Sequence, residues 1–348
     1  MKRLLKWLAG GIAVLLVAVL ALLAPVGYVE TMCRGSGEAT PYQAILPPEH
    51  HRPETRTLMT VPEWQIVHAY EDYAEVIRTG APHDFGYLAS IGGFWSSLCE
   101  LNEASAELGP VDGATKQMVH VIGVSFTVEL MFKAAYENTL GRLAVLLRGD
   151  MRAPADELSA EQAKAYAEFL QQVPWYKWRF REDAAELDAL DPTGLRDRER
   201  QFALGLEYGA KARYADLIAT AVAAAGNDAL TLRMVAAPGS TLPANQKVEV
   251  VERRPEGTVL ETPRYRELTR ILQEMALAGN DFIEIAGNDD ILFSVLSGSP
   301  SHPGALHSEA RQGFGDYRHL IMVKVTDLAE ALRSLEHRGA TLEHIHDY

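Results

Sequence analysis

Residues 8–26 read LAGGIAVLLVAVLALLAPV, nineteen positions without a charge. In a helix, at about 1.5 Å per residue, such a run reaches roughly 28 Å, close to the hydrocarbon thickness of a bilayer. Lys2, Arg3 and Lys6 precede it, and no basic residue follows before Arg34. The positive-inside bias places the head, residues 1–7, in the cytoplasm and everything after Val26 on the other side. The rival reading is a cleaved signal peptide, which needs small residues at −3 and −1 after a shorter apolar core. Val19-Leu20-Ala21 is the nearest candidate, but Leu22 and Leu23 carry the run past it. A lipoprotein needs a small residue before its cysteine, and Cys33 follows Met32. The expectation is a retained signal anchor: single-pass in the plasma (inner) membrane, with the bulk of the chain on the extracytoplasmic, periplasmic side.

Outward from that run, the rest of the 348 residues is too mixed in character to span again, and 47% hydrophobic residues supply a sizeable core. The formal net charge is −14 and the first six residues carry +3, which leaves −17 for the remainder. So acidic a body repels phosphate backbones, which excludes nucleic acid as the expected partner. The expected partners are the lipid bilayer and other envelope proteins. Two cysteines, Cys33 and Cys99, both follow the anchor. An oxidising compartment permits one disulfide between them; an exposed Cys33 with an inert, buried Cys99 is the alternative.

Three segments follow the anchor. Residues 27–61, rich in Gly, Pro, His and Arg, read as a tether or a wrapping segment between the bilayer and the first helix. Residues 62–226 read as an all-α domain. Its first helix starts at Pro62 with Ile66, Tyr70, Tyr73 and Ile77 on one stripe. Its second stops at Gly109-Pro110, and its longest is capped by Asp112 and runs to Gly149. That long helix is apolar on two faces, so it is expected to be the buried, central one. Ser159 with Gln162 reads as a capping box for the next helix, and a last helix covers Leu195–Ala225. At Gly226-Asn227 the periodicity changes to short Val- and Ile-rich runs with two amphipathic helices among them. Residues 227–348 therefore read as a small α+β domain of ferredoxin-like flavour in the order β-β-α-β-β-β-α-β. Gly287–Asp290 reads as a hairpin turn, and Ser297–Gly315 as a polar, mobile loop. The fold class is α+β, and no internal repeat is visible.

No phosphate-binding loop, dinucleotide fingerprint, H-E-x-x-H or G-x-S-x-G motif is present, and nothing calls for a cofactor. Glu129 is the sharpest single residue, a lone carboxylate on the apolar long helix. It reads either as a general base with a raised pKa or as one half of a structural pair. His68 and Asp72, four apart, suit acid–base work or a metal, although such groups more often form a solvated helix face. Together with Glu129 they are the catalytic candidates of an anchored hydrolase or transferase. His344 and His346, two apart on one face of a strand, have a spacing that suits copper or zinc in an envelope metal-binding module. In PWYKWRFR, residues 174–181, Trp175, Tyr176 and Trp178 interleave with Lys177, Arg179 and Arg181, as a membrane–water interface favours. A binding or scaffolding role at the membrane accommodates all of these features.

Overall fold

The computed structural model describes residues 2–39, 42–148, 152–225, 230–240 and 247–347. The expected joint at Gly226–Asp228 and the expected helix stop at Gly149 lie outside the described residues. An N-terminal helix, α1 (Lys2–Met32), contains the uncharged run and is long and apolar enough to cross a membrane. From Gly10 to Leu20 it is exposed all round. Its last turns are not: Val29 and Cys33 are buried against the helical domain, and Cys33 is disulfide-bonded to Cys99.

The expected tether is a fitted strap. Asn102 Nδ2 donates to the Cys33 carbonyl, and a side chain at Gly35 or Gly37 would collide with Glu103, Ala106 or Glu107. Further on, Tyr42 Oη and the amides of Ile45 and Leu46 donate to the fully buried Glu284. A buried carboxylate has to collect donors of this kind, so the segment is tied across the first sheet rather than left loose. Leu46 packs there on Val235 and Val259.

The helical domain is built from α2 (Glu54–Thr79), α3 (Tyr87–Ala104), α4 (Gly113–Tyr136), a π-helical turn (Glu137–Gly141), α5 (Arg142–Arg148), α6 (Pro154–Leu170), α7 (Phe180–Asp188) and α8 (Leu195–Ala225). α2 starts eight residues before Pro62, which sits inside it. The helix at its centre is α2, packed on α3, α4 and α6 and on the second sheet. Its apolar stripe and its polar stripe are both covered, Tyr70 and Ile77 by other helices, His68 and Asp72 by the sheet. The expectation that the long helix would be central is therefore corrected. α4 buries Val119, Gly123, Phe126 and Leu130, while Phe132, Leu140, Leu143, Leu146 and Leu147 of α4–α5 are exposed. Asp112 does cap α4, accepting from the Thr115 amide at 2.9 Å. Ser159 and Gln162 lie within α6 rather than at its start, Gln162 donating to the Asp183 carbonyl.

The C-terminal part holds β1 (Thr231–Ala236), β2 (Glu249–Arg254), β3 (Gly257–Pro263), α9 (Arg266–Leu277), β4 (Phe282–Ile285), β5 (Asp290–Ser297), β6 (Ala305–Ala310), β7 (Tyr317–Lys324), α10 (Val325–Ser334) and β8 (Ala340–His346). In place of one ferredoxin-like sheet there are two antiparallel sheets, ordered β2-β3-β1-β4 and β6-β7-β5-β8. Their orders match strand for strand, so the part is two successive βββαβ units, a repeat in topology that the residues themselves do not display. The units share one core. α10 lies on β4 of the first unit and α9 on β8 of the second, with Met234, Leu260, Ile271, Phe282, Phe293 and Leu328 among the residues buried between them. The turn at Gly287–Asp290 passes the chain from one sheet to the other, because β4 and β5 do not pair.

Candidate functional site

The second sheet turns its outer face to α2. On β5, Phe293 points to the shared core while Leu292 packs on Leu58 and Val61 of α2. Period two carries Ser294 to that same outer side. On β8, Ile345 opposes Phe293, so His344 and His346 share the outer face with Ser294 and Leu292. A bulge between Ser294 and Val295 falls at Glu343. A bulge re-aims a side chain, and here it turns the Glu343 carboxylate toward Arg318, beneath the same helix.

α2 meets this surface with residues spaced by three and four: Trp64, Gln65, His68, Glu71 and Asp72. The centre they form is buried, with His68 6%, His344 4% and His346 2% exposed. Trp64 stacks on His344 at 3.7 Å between ring centroids and meets His346 edge-on at 5.7 Å. Arg318 binds both oxygens of Glu343, at 3.0 and 2.7 Å from Nε, and reaches Glu71 at 3.3 Å and Glu309 at 3.1 Å. Arg311 bridges Glu71 and Asp316. His307 bonds Glu100 of α3 at 2.7 Å, and Asp72 accepts the Gln312 amide at 2.9 Å. Ser297–Gly315 is thus no mobile loop. It contains β6, and its Arg311–Gln312 corner bolts the second sheet to α2 and α3.

Burial and charge sort the protonation states. Burial, with Arg318 adding to it, holds His68 down to about 4, and burial with His68 beside it holds His346 down to about 3. Both are neutral imidazoles at pH 7. Glu309, although buried, is pulled down to about 2 by His307 and Arg318, and Arg318 lowers Glu343 too, against its burial. Asp72 is pushed up to about 7, mainly by burial, and His307 is raised to about 9 by Glu100 and Glu309 against its own desolvation. Several polar atoms have no hydrogen-bond partner among the described residues: both ring nitrogens of His346, Nε2 of His344 and of His307, and Oδ1 of Asp72. A cavity of ≈ 10 Å³ sits among Trp64, His68, Ser294, Glu309, Arg318 and His346, about the space of one water or ion.

The sequence candidates therefore fall in two places. His68, Asp72, His344 and His346 come together under α2, where a solvated face had been the commoner expectation for the first pair. Glu129 belongs elsewhere, on the other side of α2. It bonds the Tyr70 hydroxyl and pairs with Lys211 at 2.8 Å, and Lys211 also pairs with Glu207 at 2.9 Å and donates to the Tyr70 hydroxyl at 2.7 Å. Glu129 has the tyrosine and lysine partners that the structural reading expects. Glu71, Glu343, Arg311 and Arg318 were missed, although the i, i+3 and i, i+4 spacing of Glu71 and Asp72 from His68 marked the face.

Trp175, Tyr176 and Trp178 of residues 174–181 are half-buried against the helical domain. Trp178 packs on Tyr166 and Phe169 and donates to Asp183 at 2.6 Å, and Trp175 packs on Tyr214. Arg179 and Arg181 face Glu182 and Asp216. The rings pack on the helical core, Arg179 and Arg181 have carboxylates, and Lys177 is exposed beside the Tyr176 ring. Away from the buried centre, an open groove of ≈ 810 Å³ runs between α2 and α6, lined by Glu71, Glu75, Glu157, Glu161 and Glu168 against Arg78, Arg152 and Lys164. No family model, no curated protein and no solved structure matches this chain.

Proposed function

We propose that the chain is a single-pass, membrane-anchored, extracytoplasmic protein of binding or scaffolding type, whose helical domain rests on the bilayer that holds α1. The observation that carries this reading is where the exposed leucines lie. Cys33–Cys99, Asn102 on Cys33, and Gly35 and Gly37 against Glu103 and Glu107 rise together in number, so the end of α1 runs parallel to α3. The 66-residue offset of the disulfide sets Tyr87, the start of α3, level with about position 21, inside the apolar run. α4 returns antiparallel to α3, Gly123 against Phe94 and Thr127 against Trp95. Its continuation through α5 therefore heads back along the anchor. Gathered there are Leu88, Leu140, Leu143, Leu146, Leu147 and, at the start of the antiparallel α8, Leu195, all 52–72% exposed. Water disfavours so many clustered leucines, whereas a lipid surface buries them.

A binding role, rather than turnover, is supported by the centre under α2. Its arginines and His307 are held in ion pairs, and its cavity admits nothing larger than a water or an ion. The α2–α6 groove is of ligand size and net acidic, which suits a basic segment of another envelope protein. A phosphatase fused after Tyr348 should be active outside the cytoplasm, and the chain should stay with membranes through an alkaline carbonate wash. Activity confined to the cytoplasm, or recovery as a soluble product, would sink the reading.

A further inference from the structure

We propose that His68, Glu71 and Glu343 hold one divalent d-block cation of the zinc class between α2 and the second sheet. This inference does not depend on the membrane reading. Its first ground is geometric: one ligand atom each from His68, Glu71 and Glu343 lie within 4.8 Å of one another. Metal–ligand distances of about 2.0–2.2 Å ask for that kind of convergence. Imidazole with carboxylate is a donor set for zinc and its d-block neighbours, not for calcium or magnesium, which take oxygen alone.

The second ground is His346. It is 2% exposed, lines the same small cavity as His68, and has no partner on either ring nitrogen among the described residues. A buried polar atom without a partner is costly and calls for an ion or a water to meet it. His344 supports the arrangement from behind: Thr269 Oγ1 lies 3.2 Å from its Nδ1, and Trp64 covers its ring.

The third ground is charge. Glu71, Glu309 and Glu343 meet three cations, Arg311, Arg318 and His307, and Asp72 adds a fourth carboxyl group whose partner is the Gln312 amide. Two of those three are shared with outlying carboxylates, Arg311 with Asp316 and His307 with Glu100. A surplus of negative charge at this depth needs either a proton or a further cation. Arg318 takes Glu343 side-on through Nε and Nη2, while each oxygen of Glu71 carries a single guanidinium contact. A carboxylate has about four lone-pair sites, so Glu71 has acceptor capacity left for a metal. The ion would be buried on the His68 and His346 side and meet the open groove only at Glu71, so it leaves slowly.

The test measures metal content in the full chain, expressed with zinc sulfate in the medium, purified in detergent and dialysed against EDTA. One zinc per chain is expected in the wild type and in His337→Ala, which changes an exposed histidine in the turn after α10. His68→Ala and Glu71→Gln should each retain less than a tenth of that amount while keeping the wild-type circular dichroism spectrum. Should the histidine variant fail to fold, Glu71→Gln decides the matter, since it keeps shape and removes only the charge. Cobalt substituted into the wild type should show visible bands of mixed nitrogen and oxygen ligation, lost in Glu71→Gln. A metal-free wild type would overturn the proposal, a proton then balancing the charge. So would zinc that survives both substitutions, which marks an adventitious ion only.

Discussion

Replacing Arg318 by methionine tests the buried centre at its most connected atom. Arg318 is 4% exposed and serves Glu71, Glu309 and Glu343 together. Methionine fills much of the volume and withdraws the charge from three carboxylates at once. Breaking a buried ion pair by removing one partner costs about 3–5 kcal/mol. At roughly 2 °C per kcal/mol for a chain of this size, that is a drop of about 6–10 °C in the thermal midpoint. The dependence on pH has a definite sign. Glu309 is held down to about 2 in the fold, so its pairing contributes stability above its unfolded value near 4.3, lost as pH falls through about 2. Without the guanidinium that depression shrinks, and the carboxylates regain neutrality by protonation. The gap between Arg318→Met and wild type should therefore be widest at pH 7–8 and narrow toward pH 4. Adding Glu343→Gln to Arg318→Met should recover at least about 1 kcal/mol, because the orphaned charge is gone. Differential scanning fluorimetry of the full chain in detergent across that pH range reads all three. A loss under about 1 kcal/mol, or a gap that does not change with pH, would refute the idea that this network bolts the sheet to α2.

Other outcomes follow from single sites. Gly123→Ala drives a methyl into the Phe94 ring and close to Trp95, which should cost about 1–3 kcal/mol in the same thermal assay. Lys211→Met leaves Glu129 without its cation and Glu207 with Lys133 alone, for a loss of about 3 kcal/mol in thermal stability. Cys33→Ser frees a loop with a sequence separation of 66, a loss of up to about 4 kcal/mol on the loop-entropy view, and should slow the chain on a non-reducing gel. Trypsin should spare Arg311, because it is buried and paired with Glu71 and Asp316; early cleavage there would show the 297–315 segment to be loose.

What the residues disclosed, and what they hid, has physical causes. The uncharged run, the Asp112 cap and the α+β character were legible because each depends on local chemistry. The roles of α2 and α4 were exchanged because an apolar helix reads the same whether a protein core or a lipid surface covers it. Phe132, Leu143 and Leu147 carry no mark of which. His68 and Asp72 looked solvated because polar stripes on helices usually are. Only the sheet behind them, with Arg318 and Arg311 as counter-charges, turns that stripe inward. β6 (ALHSEA) was hidden by the same centre: its inward residues are His307 and Glu309 rather than Val or Ile, so strand periodicity appeared as low complexity. β3 ends on Pro263, directly before α9, and without β3 and β6 the two βββαβ units could not be matched.

The most direct measurement of the bilayer-seated arrangement is a lipid-quenching profile. Leu88, Leu143, Leu147, Leu195 and Leu277 are replaced singly by cysteine in the full chain, labelled with an environment-sensitive fluorophore and reconstituted in vesicles carrying spin-labelled lipids. Leu277 is 66% exposed on α9, among the sheets, and serves as the distant control. Seating on the bilayer predicts blue-shifted emission and strong quenching at Leu88, Leu143, Leu147 and Leu195, with neither at Leu277. Unquenched, water-like emission at all five positions would contradict it, and so would disulfide-linked dimers forming through Leu143→Cys, since a second copy would then cover the leucines instead of lipid.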